Sequence, residues 1–391
     1  MKKSSECCWL RSLALAIAVL AVSGLATAAT QYVVTNDDSV FPFRTGVSFY
    51  TIGANGLVFQ QQVQTGKFGI GGGYFGMNRV AVLNTADQQC VYASEAANDD
   101  VVGIVVSSLT VGGSASGSST DGGTTNGIGL AMNSNYLYAS FSDSNTIGTF
   151  QVEPGCGLTF LNDTSVVGLQ SGVINGMAVH GSMLIASYTD GSIESFNIST
   201  GSPVSNGDKQ YSTATAKSQD ATYANSIDIT SDGHYAIFGD TSTQVSIEVS
   251  DISSGKLTKT IAYQSLASIS SSNIMLSPDE TLLYVVNTQG DTVGALFFDK
   301  ATGQVLPGCR SGRLSGISQN WSYLASAALI SQSGNGGGVY VAEFGNPSGI
   351  ATVTLTTSGQ TCSLQEASGS PVTDANSPGL LSIGTYPPRS F

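Results

Sequence analysis

The sequence predicts an all-β protein folded as a seven-bladed β-propeller, with four antiparallel strands in each blade, and three observations lead to that prediction. A short β-prone phrase containing a tyrosine recurs seven times, about 46 to 60 residues apart. A second phrase, which begins with asparagine, precedes most copies at intervals of 48, 49, 50 and 48 residues. Charged residues make up only 10% of the chain, and no long stretch of period 3.6 indicates a helix.

Each repeat contains the signals of four short strands. The tyrosine phrases are apolar and are centred on Tyr32, Tyr92, Tyr138, Tyr188, Tyr235, Tyr284 and Tyr340. The asparagine phrases begin at Asn78, Asn126, Asn175, Asn225 and Asn273. A turn separates the two phrases, and a third strand, a Gly-bearing turn and a weaker fourth strand follow. Four strands in about 50 residues indicate one propeller blade, and stacking blades in a ring covers both faces of every sheet.

The two ends of the chain predict how the ring closes. The N-terminal repeat starts with "QYVVTN", a second-strand phrase, and lacks the phrase that should precede it. The C-terminal "NSPGLLSIGTY" (residues 376–386) supplies the missing phrase. We therefore expect this tail to join the N-terminal blade as its innermost strand. The alternative is two unrelated all-β domains.

Residues 1–28 have the pattern of a secretory signal peptide. Lys2, Lys3 and Arg11 form a basic start, an apolar stretch over residues 13–25 follows, and small residues favour cleavage after Ala28. This leaves residues 29–391 as a single propeller domain, secreted or periplasmic, without a membrane span. Cleavage removes three basic residues and Glu6, which takes the formal net charge from −13 to −15. Such an acidic surface argues against nucleic-acid binding.

Four cysteines remain after cleavage, and an even number in an exported protein favours two disulfide bonds. Cys90 and Cys156 lie on the same side of neighbouring blades, and Cys309 and Cys362 lie in the third-to-fourth-strand regions of two others. The predicted pairs are therefore Cys90–Cys156 and Cys309–Cys362. The chain contains only two histidines and no C-x-x-C, so no zinc site is expected.

One repeat carries a resemblance to a known family. The segment "LSPDETLLYVVNTQGDTVGALFFDKATGQV" (residues 276–305) resembles the YVTN-type repeats of the seven-bladed lactonase propellers, which are 6-phosphogluconolactonase-like and carboxymuconate-cyclase-like proteins. The resemblance covers roughly residues 30–390. It implies a hydrolase of carbohydrate metabolism that opens or closes a small lactone or sugar-acid ring without a cofactor. The residues predicted to face the central channel lack the cluster of His, Arg and Glu that the resemblance to lactonizing members implies, so whether the chain is an enzyme stays open.

Alternation along the innermost strands selects candidate site residues. The large apolar residues should point into the blade stack, and their neighbours should face the central channel. Among these neighbours Arg79 and Asp228 are the charged residues, and His180 joins them as a third catalytic candidate. Arg79 could bind a carboxylate and Asp228 could act as a base. The alternative is that the two charges pair through water and plug the channel.

Two further sets of polar residues allow both a structural and a functional interpretation. The recurring amides could bridge backbone groups at the strand starts or form a ring that binds sugar hydroxyls; they are Asn78, Asn126, Asn175 and Asn225. Glu95 and Glu343 end second strands, where we expect them to cap turns. An Asp-rich loop at residues 98–100 leaves open a weak Ca²⁺ site, although no metal is predicted.

Two other chemistries are excluded. Residues 71–76 match G-x-G-x-x-G, but a strand follows where a phosphate cradle needs a helix. No G-x-S-x-G motif occurs. The lead hypothesis is thus an exported, monomeric lactonase-like propeller acting on a small molecule. The alternative is a non-catalytic binding or scaffold propeller that recognises a glycan or a protein.

Overall fold

The computed structural model describes residues 30–37, 45–53, 56–69, 78–117, 128–211, 224–240, 246–258, 260–265, 271–287, 291–315, 323–330, 338–344, 348–374 and 382–388. The predicted signal peptide lies outside these residues. Gln31–Phe391 form one compact unit. Within the described ranges, no helix is long and apolar enough to span a bilayer.

In the ranges that the structure describes, thirty strands form seven sheets, and each sheet is one blade. The innermost strands, from the first blade to the seventh, are β30 (Ser382–Tyr386), β4 (Val80–Asn84), β8 (Ile128–Met132), β12 (Ile174–His180), β17 (Ala224–Ile229), β21 (Ser271–Leu276) and β25 (Tyr323–Ile330). The second strands are β1 (Tyr32–Asn36), β5 (Gln89–Glu95), β9 (Tyr136–Phe141), β13 (Met183–Tyr188), β18 (Tyr235–Asp240), β22 (Leu282–Asn287) and β26 (Gly338–Phe344).

The third and fourth strands complete the blades. The third strands are β2 (Gly46–Gly53), β6 (Asp100–Val105), β10 (Thr146–Glu153), β14 (Ser192–Asn197), β19 (Ser246–Asp251), β23 (Thr292–Asp299) and β27 (Ser348–Ser358). The outermost strands are β3 (Gly56–Gln64), β7 (Thr110–Ser116), β11 (Gly157–Ser165), β15 (Val204–Ser205), β20 (Thr260–Ser265), β24 (Gln304–Arg310) and β28 (Thr361–Glu366). Two short strands, β16 (Gln210–Tyr211) and β29 (Val372–Asp374), pair with β14 and β27. Two 3₁₀ turns lie at Ala96–Asn98 and Pro154–Cys156.

The innermost strands form a closed ring. Each one contacts the innermost strands of the two neighbouring blades, and the series returns from β25 through β30 to β4. β30 pairs antiparallel with β1, with Tyr386 opposite Tyr32 and Ser382 opposite Asn36. The predicted closure is thereby confirmed: the C-terminal strand is the innermost strand of the N-terminal blade.

The hydrophobic core is divided among the seams between blades. The described residues form seven apolar clusters, one at each seam. β5 shows how alternation serves two seams at once. Val91 and Ala93 pack against the first blade, whereas Cys90 and Tyr92 pack against the third. Every blade therefore buries both of its faces against other blades, at about 25 cal/mol for each Å² of apolar surface removed from water.

Side chains of the innermost strands also alternate between two seams. This differs from the expectation that every second one faces the central channel. Met177 packs towards the third blade, and the next residue, Ala178, packs towards the fifth. Ala81 likewise packs against the third blade. We expected Ala81 and Ala178 to face the channel. They lie in a seam because a blade stands edge-on to the axis, so its strands alternate between two neighbouring blades.

Disulfide bonds join Cys90 to Cys156 and Cys309 to Cys362, with Cα–Cα distances of 5.6 and 5.5 Å. These are the two pairs expected from the blade positions. The first links the second and third blades and is buried. The second links the outermost strands β24 and β28 of the sixth and seventh blades. Each bond therefore fastens one seam covalently.

Glycine turns follow the third strands where the sequence places them. Gly201 and Gly303 have φ values of 94° and 71°, in the left-handed region that favours glycine. The carbonyl oxygen of Gly201 accepts a 2.8 Å hydrogen bond from the Tyr138 hydroxyl of the preceding blade. Burial raises the pKa of Tyr138, so the hydroxyl keeps its proton and the bond.

Deletion of residues 377–391 tests the closure. The deletion removes β30 and with it the buried side chains of Ile383 and Tyr386, each worth about 1.5–3 kcal/mol of burial. We expect the melting temperature to fall by roughly 10 °C in a thermal denaturation experiment. Deletion of residues 389–391 alone, beyond the strand, should leave it unchanged. An unchanged melting temperature for the longer deletion would contradict the closed ring.

Substitution of Gly103 tests the packing at the seam of the second and third blades. A Cβ atom at Gly103 would lie 2.0 Å from the carbonyl oxygen of Cys156. We expect Gly103→Ala to destabilise the fold by about 1–3 kcal/mol, measured by denaturant unfolding. Gly312→Ala is the control, because nothing lies within 4 Å of the added atom. Equal stability of the two variants would refute this account of the seam.

Candidate functional site

Arg79 is the largest side chain among the fully buried ones that the structure describes, with 1% of its surface exposed. It lies directly before β4, where the first and second blades meet. Its backbone N–H donates to the Ser382 hydroxyl of β30 (3.0 Å), and its carbonyl accepts from Ser94 N–H (3.1 Å). A guanidinium keeps its proton when buried, so this position carries a permanent desolvated positive charge.

The same seam contains buried acids and amides. Asp37 and Glu95 are fully buried on the first and second blades. The Asn36 amide donates to the carbonyl of Ser94 across the seam (2.9 Å), and Asp37 accepts from Gly46 N–H (2.8 Å). We call Arg79, Asn36, Asp37, Glu95 and Ser382 the closure site. A charge in a water-poor setting acts more strongly on its neighbours than it would at the surface, so the buried guanidinium of Arg79 is suited to hold a polar group in a fixed position.

A salt bridge lies beside the closure site. Lys67 follows β3, and its ammonium group lies 2.6 Å from a carboxylate oxygen of Asp100, which begins β6. The neighbouring Phe68 N–H donates to Asn98 Oδ1 (3.0 Å). These bonds fix the Asp-rich loop at residues 98–100 against the first blade. In the part of the chain that the structure describes, no group of three or more His, Cys, Asp or Glu residues could hold a metal ion.

Asp228 joins two blades through its carboxylate. Oδ2 accepts a 2.6 Å hydrogen bond from Leu276 N–H on β21 of the sixth blade, and Oδ1 accepts from Ile229 N–H (2.8 Å). The Ser226 hydroxyl, two residues earlier, accepts from Ile274 N–H on the same neighbouring strand (3.1 Å). The predicted base therefore contributes to holding the seam, and a role in proton transfer stays a prediction.

His180 ends β12 and lies against the fifth blade. A Cβ atom placed on Gly233 would lie 2.6 Å from the imidazole, so the ring packs closely on that turn. Arg79, His180 and Asp228 thus lie in the second, fourth and fifth blades. His180 contacts the turn of the fifth blade, while Asp228 contacts the sixth. A common site formed by the three side chains stays a prediction.

The recurring asparagines occupy different positions in their strands. Asn175 is fully buried at a β-bulge between Ile174 and Gly176. Asn225 lies at a similar bulge on β17. Asn78 is exposed and precedes β4, and its carbonyl accepts from Leu130 N–H of the third blade (2.6 Å). Asn126 lies outside the described residues. Asn78 is thus exposed while Asn175 is buried, and binding of sugar hydroxyls by the recurring asparagines stays a prediction.

Glu343 is a titratable residue whose environment the sequence did not reveal. It ends β26, where we expected a turn cap, but it is 4% exposed and its Oε1 atom is buried with no hydrogen-bond partner in the described structure. Burial raises its pKa to about 8, and the negative charges of Glu366 and Asp291 act in the same direction. In the sequence, this position is distinguished by a Glu near the end of a second strand, where most other repeats have Asn, Asp or Ser.

Comparisons with known proteins agree with the fold. The family model described as "Lactonase, 7-bladed beta-propeller" matches residues 91–372, which is more than half of the chain. This match begins after Arg79 and includes His180, Asp228 and Glu343. No curated protein sequence matches significantly.

Many solved structures are similar to the chain. A putative 6-phosphogluconolactonase from Bacteroides fragilis has a TM-score of 0.66 at 12% identity, covering 92% of this chain and 99% of that one. The periplasmic gluconolactonase of Pseudomonas aeruginosa has a TM-score of 0.63 at 13% identity, covering 91% and 99%. A putative 6-phosphogluconolactonase from Bacteroides uniformis has a TM-score of 0.54 at 14% identity, covering 68% and 78%. At 12–14% sequence identity, this structural similarity shows a common fold.

Substitution of Asp228 measures its contribution to the seam. Asp228→Ala leaves Leu276 N–H without its acceptor, so we expect a loss of about 1–3 kcal/mol in the free energy of unfolding. Asp228→Asn keeps one acceptor oxygen and should cost less. Asp87→Ala, at an exposed position, is the control and should change stability by less than about 0.5 kcal/mol. Chemical denaturation that gives Asp228→Ala the stability of the unsubstituted protein would show that the bond contributes nothing.

Proposed function

The chain belongs to the lactonase family of seven-bladed β-propellers, and we propose that it opens or closes a small lactone or sugar-acid ring. The observation that carries the proposal is Arg79, a fully buried guanidinium beside an innermost strand of a propeller from this family. Two solved structures of the same fold are described as "a putative 6-phosphogluconolactonase" and a gluconolactonase. The activity of those proteins suggests the substrate class for this one.

The proposed reaction is hydrolysis of a cyclic ester. Water adds to the carbonyl carbon, the bond between that carbon and the ring oxygen breaks, and the ring oxygen takes up a proton. The product is a hydroxy acid that ionises at neutral pH. Arg79 would hold the carbonyl oxygen and then the product carboxylate, because its fork of N–H donors fits two oxygens. Asp228 or His180 would take the proton from water and return it to the ring oxygen.

We further propose that the protein works outside the cytoplasm. Both disulfide bonds favour an oxidising compartment. The Pseudomonas neighbour is described as periplasmic. A chain in that compartment would meet free sugar lactones and would be separated from the phosphorylated sugars of the cytosol.

A binding or scaffold propeller is the second candidate function, and the bonding of Asp228 favours it. A carboxylate that accepts two backbone N–H groups already has a structural role, which makes it a poorer base. In this case the partner would be a glycan or a protein recognised at the loops around one face of the ring.

An assay on simple aldonolactones separates the two candidate functions. Hydrolysis releases a proton for each ester opened, so a pH-stat or an indicator dye measures the rate directly. We expect turnover by the purified protein, loss of that turnover in Arg79→Ala, and partial recovery in Arg79→Lys. Arg310→Ala, at an exposed arginine of β24, is the matched control and should keep full activity.

Two outcomes would count against lactone chemistry. Turnover that is unchanged in folded Arg79→Ala would remove Arg79 from the reaction. An inert lactone panel together with binding in a glycan or pull-down screen would favour the second candidate. Circular dichroism and the melting temperature of each variant distinguish loss of function from loss of fold.

A further inference from the structure

The connection from the sixth blade to the seventh begins with residues 311–315, which we call the strap. Ser311 N–H donates to the carbonyl of Val293 (2.8 Å), and Leu314 N–H donates to the carbonyl of Asp291 (2.9 Å). Ser315 N–H donates to Glu366 Oε2 on β28 (2.6 Å). The strap is therefore bonded to both blades and closes the seam between them.

Two carboxylates anchor the strap through their charge. Arg313 contacts Asp291 Oδ2 through Nη2 (2.8 Å) and Nε (2.9 Å). The Arg313 side chain is 61% exposed, whereas that of Asp291 is 10% exposed. Glu366 also accepts from the Ser370 hydroxyl (2.8 Å). Anchoring thus depends on negative charge at Asp291 and Glu366.

Glu343 lies at the end of β26 on the face that packs in this seam. Its neighbours two and four positions earlier, Val341 and Val339, belong to the apolar cluster shared with the sixth blade. Its Oε1 atom is buried and has no hydrogen-bond partner in the described structure. On β27, the Glu343 carboxylate lies against the uncharged Gly349: a Cβ atom added there would be 3.3 Å from Oε2.

The charged groups around Glu343 are those that anchor the strap. Asp291 precedes β23, Glu366 ends β28, and Arg313 lies on the strap itself. The two carboxylates act electrostatically on Glu343. Arg313 is bonded to Asp291, so it offsets one of the two negative charges at the exposed side.

We propose that the strap is a proton-controlled latch, docked on the seam while Glu343 is neutral and released when Glu343 ionises. The neutral carboxyl adds no charge to a seam that already contains Asp291 and Glu366. Ionisation of Glu343 places a negative charge at a buried position, near two carboxylates of the same sign, which is costly. Undocking the strap relieves this cost, because it admits water to the seam.

The sign of the pH dependence follows from the pKa of Glu343. A glutamate in the unfolded chain has a pKa near 4.5, and burial in the folded seam raises the pKa of Glu343 to about 8. Between pH 4.5 and about pH 8, Glu343 in the folded seam therefore keeps a proton that a solvent-exposed glutamate has already lost. The stability that this proton gives to the docked seam is fully present below pH 4.5. It is lost as the pH rises through about 8, the pKa of Glu343 in the folded protein.

Hydrogen exchange of the strap amides tests the latch. Protection factors, which are corrected for the intrinsic pH dependence of exchange, are measured between pH 6 and pH 10. We expect the protection of Leu314 and Ser315 to fall about tenfold between pH 7 and pH 9 as Glu343 ionises. In Glu343→Gln, which copies the neutral carboxyl, the protection should stay flat. The Thr65 amide, bonded to Thr45 in another crossover, is the internal control and should not respond.

A second variant separates charge from packing. Glu366→Gln removes one of the negative charges near Glu343, so the fall in protection should move to lower pH. Identical pH profiles for the unsubstituted protein and Glu343→Gln would overturn the proposal. So would a loss of protection in β26 that parallels the loss in the strap, since that would be opening of the whole seam.

Discussion

The structure depends on the burial of both faces of every sheet against other sheets. No blade has a core of its own; the described apolar clusters lie between blades, one at each of the seven seams. A sheet with two apolar faces has to find a partner on each side, and a ring supplies both without leaving a terminal sheet. This constraint also explains why polar side chains of the innermost strands, such as Ser226 and Asp228, bond to the backbone of the next blade.

Some seams contain polar or covalent bonds in addition to apolar packing. The first blade is assembled from both chain ends, through the pairing of β1 with β30, and its seam with the second blade contains the closure site. Disulfide bonds fasten two other seams. The sixth and seventh blades combine one of these bonds with the strap and its buried carboxyl groups. Polar chemistry is thus concentrated in two seams, the one between the first and second blades and the one between the sixth and seventh.

The repeat predicted the strands, their order and the closure, because these follow from turn residues and apolar alternation that recur along the chain. It did not predict register. The repeat aligns Tyr138 with Tyr188. In the structure Tyr138 lies opposite Ala131 in the middle of its strand, whereas Tyr188 ends its strand opposite Ile174. Asn175 lies in a bulge and Asn78 before a strand. An offset of an odd number of residues changes which seam a side chain enters, and a single sequence does not record it.

The site was predictable only in part for the same reason. Arg79 is conspicuous as a charge in an apolar strand phrase, and the structure places it in the closing seam. Glu343 gives only a weak signal in the sequence, because its environment is formed by Asp291, 52 residues earlier in the sequence, and by Glu366 on another strand. Burial and the charge of distant neighbours are properties of the assembled ring.

The closed ring is tested most directly by hydrogen exchange of the native protein at the chain ends. If β30 completes the first blade, the amides of residues 382–386 should exchange as slowly as those of the other innermost strands, together with the amides of β1. Exchange of residues 382–386 at the rate of an unstructured peptide, while β4 and β8 stay protected, would contradict the closed ring.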